Sequence, residues 1–410
     1  MRAIPIVALL FGAALSAQAQ APPSQSDSLA RELARLKARI DSLEQLVRQL
    51  SPQAADTASP EDELAALRAA ARAAAAQRDT APAAAAPTPQ FVERSRDLNR
   101  LNPEISVTGD VRVHADRDAP VQDNVEVREF EFSFQSALDP YSNTKIFLSL
   151  EEGEIDLEEA YAYWTALPGR LRLDVGRFRQ QIGELNRWHS HALPGSEYPL
   201  VLREFFGEEG LVGNGVGLYW VAPFGGGAAG TYELWGQVTL ADNEVLFDGG
   251  NRLSGLGHLN AHWELSRSSF FQLGASGLYG ENPDADLKTR VVGFDARFSW
   301  RPPERAMYRS FTLRGEGYAL TREVAGTSET RLGGYVNALY QLGRQWYVGA
   351  QYDLVELAPG VRHWQISPHI TWWQSEWVYF RAEWQRPKDG PDRLVIQAVW
   401  SIGPHKHEIY

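Results

Sequence analysis

Residues 178–214 read FRQQIGELNRWHSHALPGSEYPLVLREFFGEEGLVGN, packing an H-x-H pair (His189, His191), three Arg and five Glu into one segment. Each grouping suggests a chemistry. H-x-H beside carboxylates can bind zinc, but the spacing fixes no third ligand. Ser190 and Ser196 lie near the His residues, yet no nucleophile-elbow or other triad signature surrounds them. Paired Glu are common on acidic loops and do not by themselves signal glycoside hydrolysis. With no Cys in the chain, thiolate metal sites and disulfides are excluded. These residues therefore predict no catalytic group, no metal site and no cofactor, and the role of the stretch depends on what positions it.

The first hundred residues set the compartment. Met1–Ala19 combines Arg2, the apolar run Ile4–Leu15 and an A-x-A end, which is the pattern of a secretory signal peptide. No later apolar run reaches the roughly 18 residues of a transmembrane helix. A net charge of −12 argues against a nucleic-acid partner. Over residues 26–50, Leu29, Leu36, Leu43 and Leu50 recur every seven residues, with Leu33, Ile40 and Val47 on the second seam. That predicts a short coiled coil and an oligomer; three heptads leave the number of strands open. Residues 51–95 are an Ala/Pro-rich linker, and all 13 Trp and all 15 Tyr lie beyond residue 140. A separate domain over residues 96–410 is therefore expected.

From Ile105 onward, apolar residues alternate with polar ones, as in Val292, Phe294, Ala296, Phe298 and Trp300. Sixteen candidate strands can be counted, an even number as in exported single-chain barrels. Their links alternate in length. Short ones include DPYSN, LPGR, SRS, GRQ and WQSE; long ones include DRDAPVQDN, GENPDADLK and REVAGTSET. Trp164, Trp220, Trp300, Trp346, Trp372 and Trp377 fall beside the short turns, as an interfacial girdle would, and the chain ends on the aromatic Tyr410. A bilayer admits only helices or closed barrels, because an open sheet edge leaves backbone groups unpaired in hydrocarbon. The sequence thus predicts an all-β fold, a transmembrane antiparallel β-barrel of about 16 strands, preceded by a signal peptide and a short coiled coil. Such a barrel is wide enough for an aqueous channel.

LNPEISVTGD (Leu101–Asp110), LPGRLRLDVGRFRQQIGELN (Leu167–Asn186) and HALP followed by FFGEEGL resemble a bacterial outer-membrane porin family related to the phosphate-selective porins O and P. The resemblance spans most of residues 100–410 through individually loose motifs. It implies a 16-stranded homotrimer in outer-membrane lipid with its third outer loop folded into the pore. In one respect the chain departs: phosphate-selective members rely on a cationic pore, whereas this chain is acidic.

Strand counting places LRLDVGRF (Leu171–Phe178) fifth and GNGVGLYW (Gly213–Trp220) sixth, so the opening stretch becomes the third outer loop, residues 179–212. Its apolar residues Leu193, Tyr198, Leu200, Val201, Leu202, Phe205 and Phe206 need burial, and the inner barrel wall is the nearest surface. The expected constriction comprises Arg179, Glu184, Arg187, His189, His191, Arg203, Glu204, Glu208 and Glu209, with REFFGEEG forming a short helix. These charges can face one another across water or pin the loop to the wall. On the polar face of the wall, Arg112, Arg172, Arg297, Arg314, Glu316 and Arg381 form either an anion track or a cross-strand charge ladder. The function expected is a passive outer-membrane channel for small hydrophilic solutes or ions, not an enzyme, with the coiled coil in the periplasm. A channel selective for phosphate or another oxyanion is the alternative, with an outer-membrane enzyme and a structural anchor behind it.

Overall fold

The computed structural model describes residues 103–117, 124–151, 153–250, 252–282, 287–324 and 326–403. The signal peptide, coiled coil and linker expected over residues 1–95 lie outside the described residues, as does Tyr410. Sixteen strands are described. The first eight are β1 (Glu104–Asp116), β2 (Val125–Ala137), β3 (Ser142–Glu151), β4 (Glu154–Leu167), β5 (Leu171–Arg179), β6 (Val212–Val221), β7 (Thr231–Leu240) and β8 (Leu253–Ser266). Then follow β9 (Ser269–Glu281), β10 (Lys288–Trp300), β11 (Phe311–Val324), β12 (Thr327–Gln341), β13 (Trp346–Ala358), β14 (Val361–Trp373), β15 (Val378–Pro387) and β16 (Arg393–Ile402).

Each strand pairs antiparallel with its sequence neighbours, and β1 pairs with β16 from Val107↔Ile402 to Asp116↔Arg393, closing the barrel. Closure leaves no unpaired edge, which satisfies the backbone without water. Alternation sorts the faces. On β10, Val292 and Phe294 are exposed outward, at 52% and 63%, while Asp295 and Arg297 are buried inward. Aromatic residues cluster at the end that carries the links from even to odd strands. There the Trp346 and Trp372 rings stack at 6.1 Å, and Trp372 stacks on Phe380 at 5.8 Å.

Link lengths differ from the expected rhythm. REVAGTSET is not a long loop: Val324 already pairs with Thr327, and Gly326 beside that pair sits at φ +90°. A glycine takes that left-handed conformation without a Cβ clash, so polar Thr and Ser residues that look like loop continue an exposed hairpin. Residues 359–360 turn β13 into β14 in the same way, with Gly360 at φ +80°. Conversely, residues 222–230 and 301–310 make longer links at the other end.

Candidate functional site

Strands β5 and β6 end opposite one another at Arg179↔Val212, and the 180–211 segment between them turns into the barrel. Pro199 cannot donate a helical hydrogen bond and precedes a short helix, α1 (Leu200–Phe206), which Gly207 ends at φ +98°. The expected helix over REFFGEEG therefore starts earlier and stops at the glycine. On α1, Leu200, Val201, Leu202, Phe205 and Phe206 are buried in one cluster with the inward side chains Leu256, Leu278, Val291, Leu320 and Val355 of the wall. Leu246 and Phe247 of a second short helix, α2 (Glu244–Phe247), complete it. The wall is thin where α1 meets it: a Cβ on Gly333 would lie 2.6 Å from Val201 Cγ2.

Polar ties hold the loop on both sides of the lumen. Towards β9 and β11, the Gly183 N–H donates to Ser276 Oγ (3.1 Å), and the Glu184 and Leu185 N–H groups donate to Glu316 Oε1 (2.9 and 2.8 Å). Towards β13, the Leu200 N–H donates to Asp353 (3.1 Å). Across the barrel, the Ser196 N–H and hydroxyl donate to Glu383 of β15, and Arg112 of β1 donates to the Ser196 carbonyl. Arg381 donates to the carbonyls of Leu193 and Gly195, and the Tyr379 hydroxyl to that of His191. In strand order β9 and β1 are half a circumference apart, so the segment crosses the lumen.

The charged residues divide by environment. Arg179, 3% exposed, pairs with Glu158 of β4 at 2.6 Å and also donates to the Tyr198 hydroxyl. Glu184 meets Arg297 at 2.7 Å and Arg314 at 3.8 Å. Those two arginines are direct cross-strand partners, as are Asp295 and Glu316, so like charges stand opposite one another instead of forming an alternating ladder. Like charges directly opposite are destabilising, and Glu184 supplies the negative charge between the arginines. Arg187 reaches Gln181 and lies 5.0 Å over the Trp235 ring. Arg172 pairs with Asp174 at 2.7 Å and stacks on Tyr163.

Arg203, Glu208 and Glu209, like Arg179, border a cavity of about 1060 Å³, together with Arg112, Glu197 and Arg393, at the barrel end carrying the links from odd to even strands. Glu204 is half-buried on α1. Arg203 meets Glu197 at 3.2 Å and Glu208 at 3.7 Å. Burial alone would raise the Glu197 carboxyl, but Arg203 and Arg112 outweigh it and hold the group below its ordinary value.

His189 and His191 are buried against acids that the loop sequence does not contain. His189 Nδ1 lies 2.6 Å from Glu131 and 3.1 Å from Glu158; its Nε2 lies 2.9 Å from Glu159. His191 Nδ1 is 3.0 Å from Glu129. Burial would lower the His189 imidazole, but Glu131 and Glu158 outweigh it and hold the ring well above its ordinary value. Glu129 and Glu131 follow the inward period of β2. Glu158 and Glu159 are adjacent, yet both reach the loop. A register shift pairs Phe147 with Glu159 and Leu148 with Leu157, leaving Glu158 as the extra residue of a bulge. The doublet in DLEEAY, which breaks the two-residue period, is the sequence signal for this site.

No family model matches the chain. A relative from Aquifex aeolicus (strain VF5), described as an uncharacterized protein, is 27% identical over 259 residues, covering 55% of this chain and 53% of its own, so the chain spans about half the length of that relative. Among solved structures, an anion-selective porin from Comamonas acidovorans aligns with a TM-score of 0.53 at 11% identity, over 74% of this chain and 99% of its own. The outer-membrane channel DcaP of Acinetobacter baumannii gives 0.50 at 10%, over 74% and 97%. The trimer form of OmpT, an outer-membrane protein of Vibrio cholerae, gives 0.50 at 8%, over 73% and 99%. At such identities the likeness is one of fold, and the fold of this chain is the closed 16-stranded antiparallel barrel of outer-membrane porins.

Proposed function

We propose that the protein is a passive outer-membrane channel for small hydrophilic solutes or ions, without enzymatic activity, in which segment 179–212 narrows the lumen. The observation that carries this reading is the segment's course: it is bonded to β9 and β11 at one side and to β15 and β1 at the other. Charges in a narrow, low-dielectric passage focus the field and act on permeating ions far more than exposed ones. We assign that role to Arg203 and Glu197 beside the cavity, which Glu208, Glu209 and Arg179 also border, while Glu184, His189 and His191 tie the loop to the wall. The protein would assemble as a homotrimer in outer-membrane lipid, with residues 26–50 as a periplasmic coiled coil behind a cleaved signal peptide.

Selectivity for an oxyanion is the second reading, favoured by the inward arginines of the wall. Several are already engaged, Arg381 by loop carbonyls and Arg297 by Glu184, which leaves mild selectivity as the better expectation. Recording in planar bilayers across a salt gradient tests both. Discrete conductance steps are expected, and Arg203→Glu should move the reversal potential towards cations, while Lys388→Glu on the exposed rim should move it far less. Folded barrels that give no steps, or equal shifts from both substitutions, would overturn the reading. A chloride current blocked by millimolar phosphate would favour the oxyanion channel.

A further inference from the structure

We infer that Glu131, Glu158 and His189 form a divalent-cation site of the zinc class that clamps the crossing segment to the barrel wall. The residues come from three separate elements, β2, β4 and the loop. Among the described residues, they are a group whose carboxylate and imidazole donor atoms all lie within 4.8 Å of one another, and all three are buried.

The geometry fits a metal. Zinc bonds of about 2.0–2.2 Å arranged tetrahedrally separate neighbouring donors by roughly 3.3–3.5 Å. The His189 Nδ1 distances to Glu131 and Glu158, 2.6 and 3.1 Å, are slightly inside that edge, so a small outward relaxation admits an ion. On the far side of the ring, Nε2 faces Glu159 Oε1 at 2.9 Å. A metal-bound histidine commonly gives its other N–H to a carboxylate, which fixes the tautomer and orients the ring. Glu159 stands where that partner belongs.

Two further observations point to a ligand. Glu158 Oε2 is engaged by Arg179 and His189, whereas its Oε1 is buried and makes no hydrogen bond. Its side chain also borders the 1060 Å³ cavity, which supplies an entry path. Glu129, Glu131, Glu158 and Glu159 bring four carboxylates together, and Arg179 pairs with Glu158 at 2.6 Å. Buried like charges need close compensation, which a divalent ion supplies. An imidazole among carboxylates selects zinc-like ions over calcium and magnesium.

The inference does not require a conducting pore, because binding is read on the folded chain. Full-length protein in detergent, stripped with chelator and equilibrated with zinc chloride, should retain about one zinc per chain by mass spectrometry after desalting. Glu131→Gln, which keeps side-chain size, and His189→Ala should each retain at least tenfold less while still showing the heat-modifiable mobility of a folded barrel. His114→Ala, removing a cavity histidine that pairs with Glu126 instead, should bind as the parent does. X-ray absorption of the zinc-loaded protein should show only nitrogen and oxygen neighbours with an imidazole signature. No retained zinc in the parent, or retention undiminished in folded Glu131→Gln and His189→Ala, overturns the site.

Discussion

Replacing Glu184 by Gln probes the tie that holds the loop to the far wall. The side chain keeps its shape and one acceptor oxygen but loses the charge that lies 2.7 Å from Arg297 and 3.8 Å from Arg314. All three groups are largely buried, and the two arginines face one another in register. Removing one partner of a buried ion pair costs about 3–5 kcal/mol. The retained amide acceptor places this change at the low end, about 3 kcal/mol, or about a hundredfold in the population of the undocked loop. Hydrogen exchange of the backbone amides at 184 and 185 reads this directly, because both donate to Glu316 and are released on undocking. Protection there should fall about a hundredfold while the β10 amides change little. In an Arg314→Gln background, where the like-charge pair is absent, the same substitution should cost less than half as much. Unchanged protection, or equal losses in both backgrounds, would refute the assignment of Glu184 as the compensating charge.

Phe294→Arg, on the exposed outer face, should impair barrel assembly by about 2–4 kcal/mol if it sits near the bilayer midplane, measured by refolding into lipid vesicles. Gly333→Ala should push α1 from the wall, since the new methyl would meet Val201, and should lower amide protection across residues 200–206 with the strands unaffected. Glu197 has a folded pKa below its ordinary 4.5, so its pairing with Arg203 and Arg112 contributes docking free energy above about pH 4.5 that is lost as pH falls through the folded value. Exchange at the Ser196 amide should therefore rise only at acid pH, and Glu197→Gln should remove that component. A rise centred above 4.5 would contradict the sign.

Much of the barrel was legible because a membrane wall imposes a strict two-residue period: β5 and β6 fall within a residue of their expected ends. The loop's burial was legible too, since Leu200–Leu202, Phe205 and Phe206 had no other apolar surface within reach. Link lengths were not, because Thr and Ser in REVAGTSET fit an exposed strand as well as a loop, and one glycine decides between them. Nor were the partners of His189 and His191. They lie on β2 and β4, and a bulge at Glu158 defeats the period that would have placed both acids. The inward apolar patch beneath α1 left a trace in doublets such as Val291-Val292 and Leu354-Val355, where both faces of the wall are apolar.

Single-channel conductance of a variant in which residues 190–205 are replaced by a short Gly/Ser linker tests the central claim most directly. The deletion removes the ties to Glu383, Arg381 and Asp353 and most of α1, while all 16 strands remain. Conductance should rise several-fold over the parent, with weaker ion preference and entry of larger neutral solutes. A folded variant whose conductance and size limit match the parent's would show that the segment crossing the lumen does not narrow a path through it.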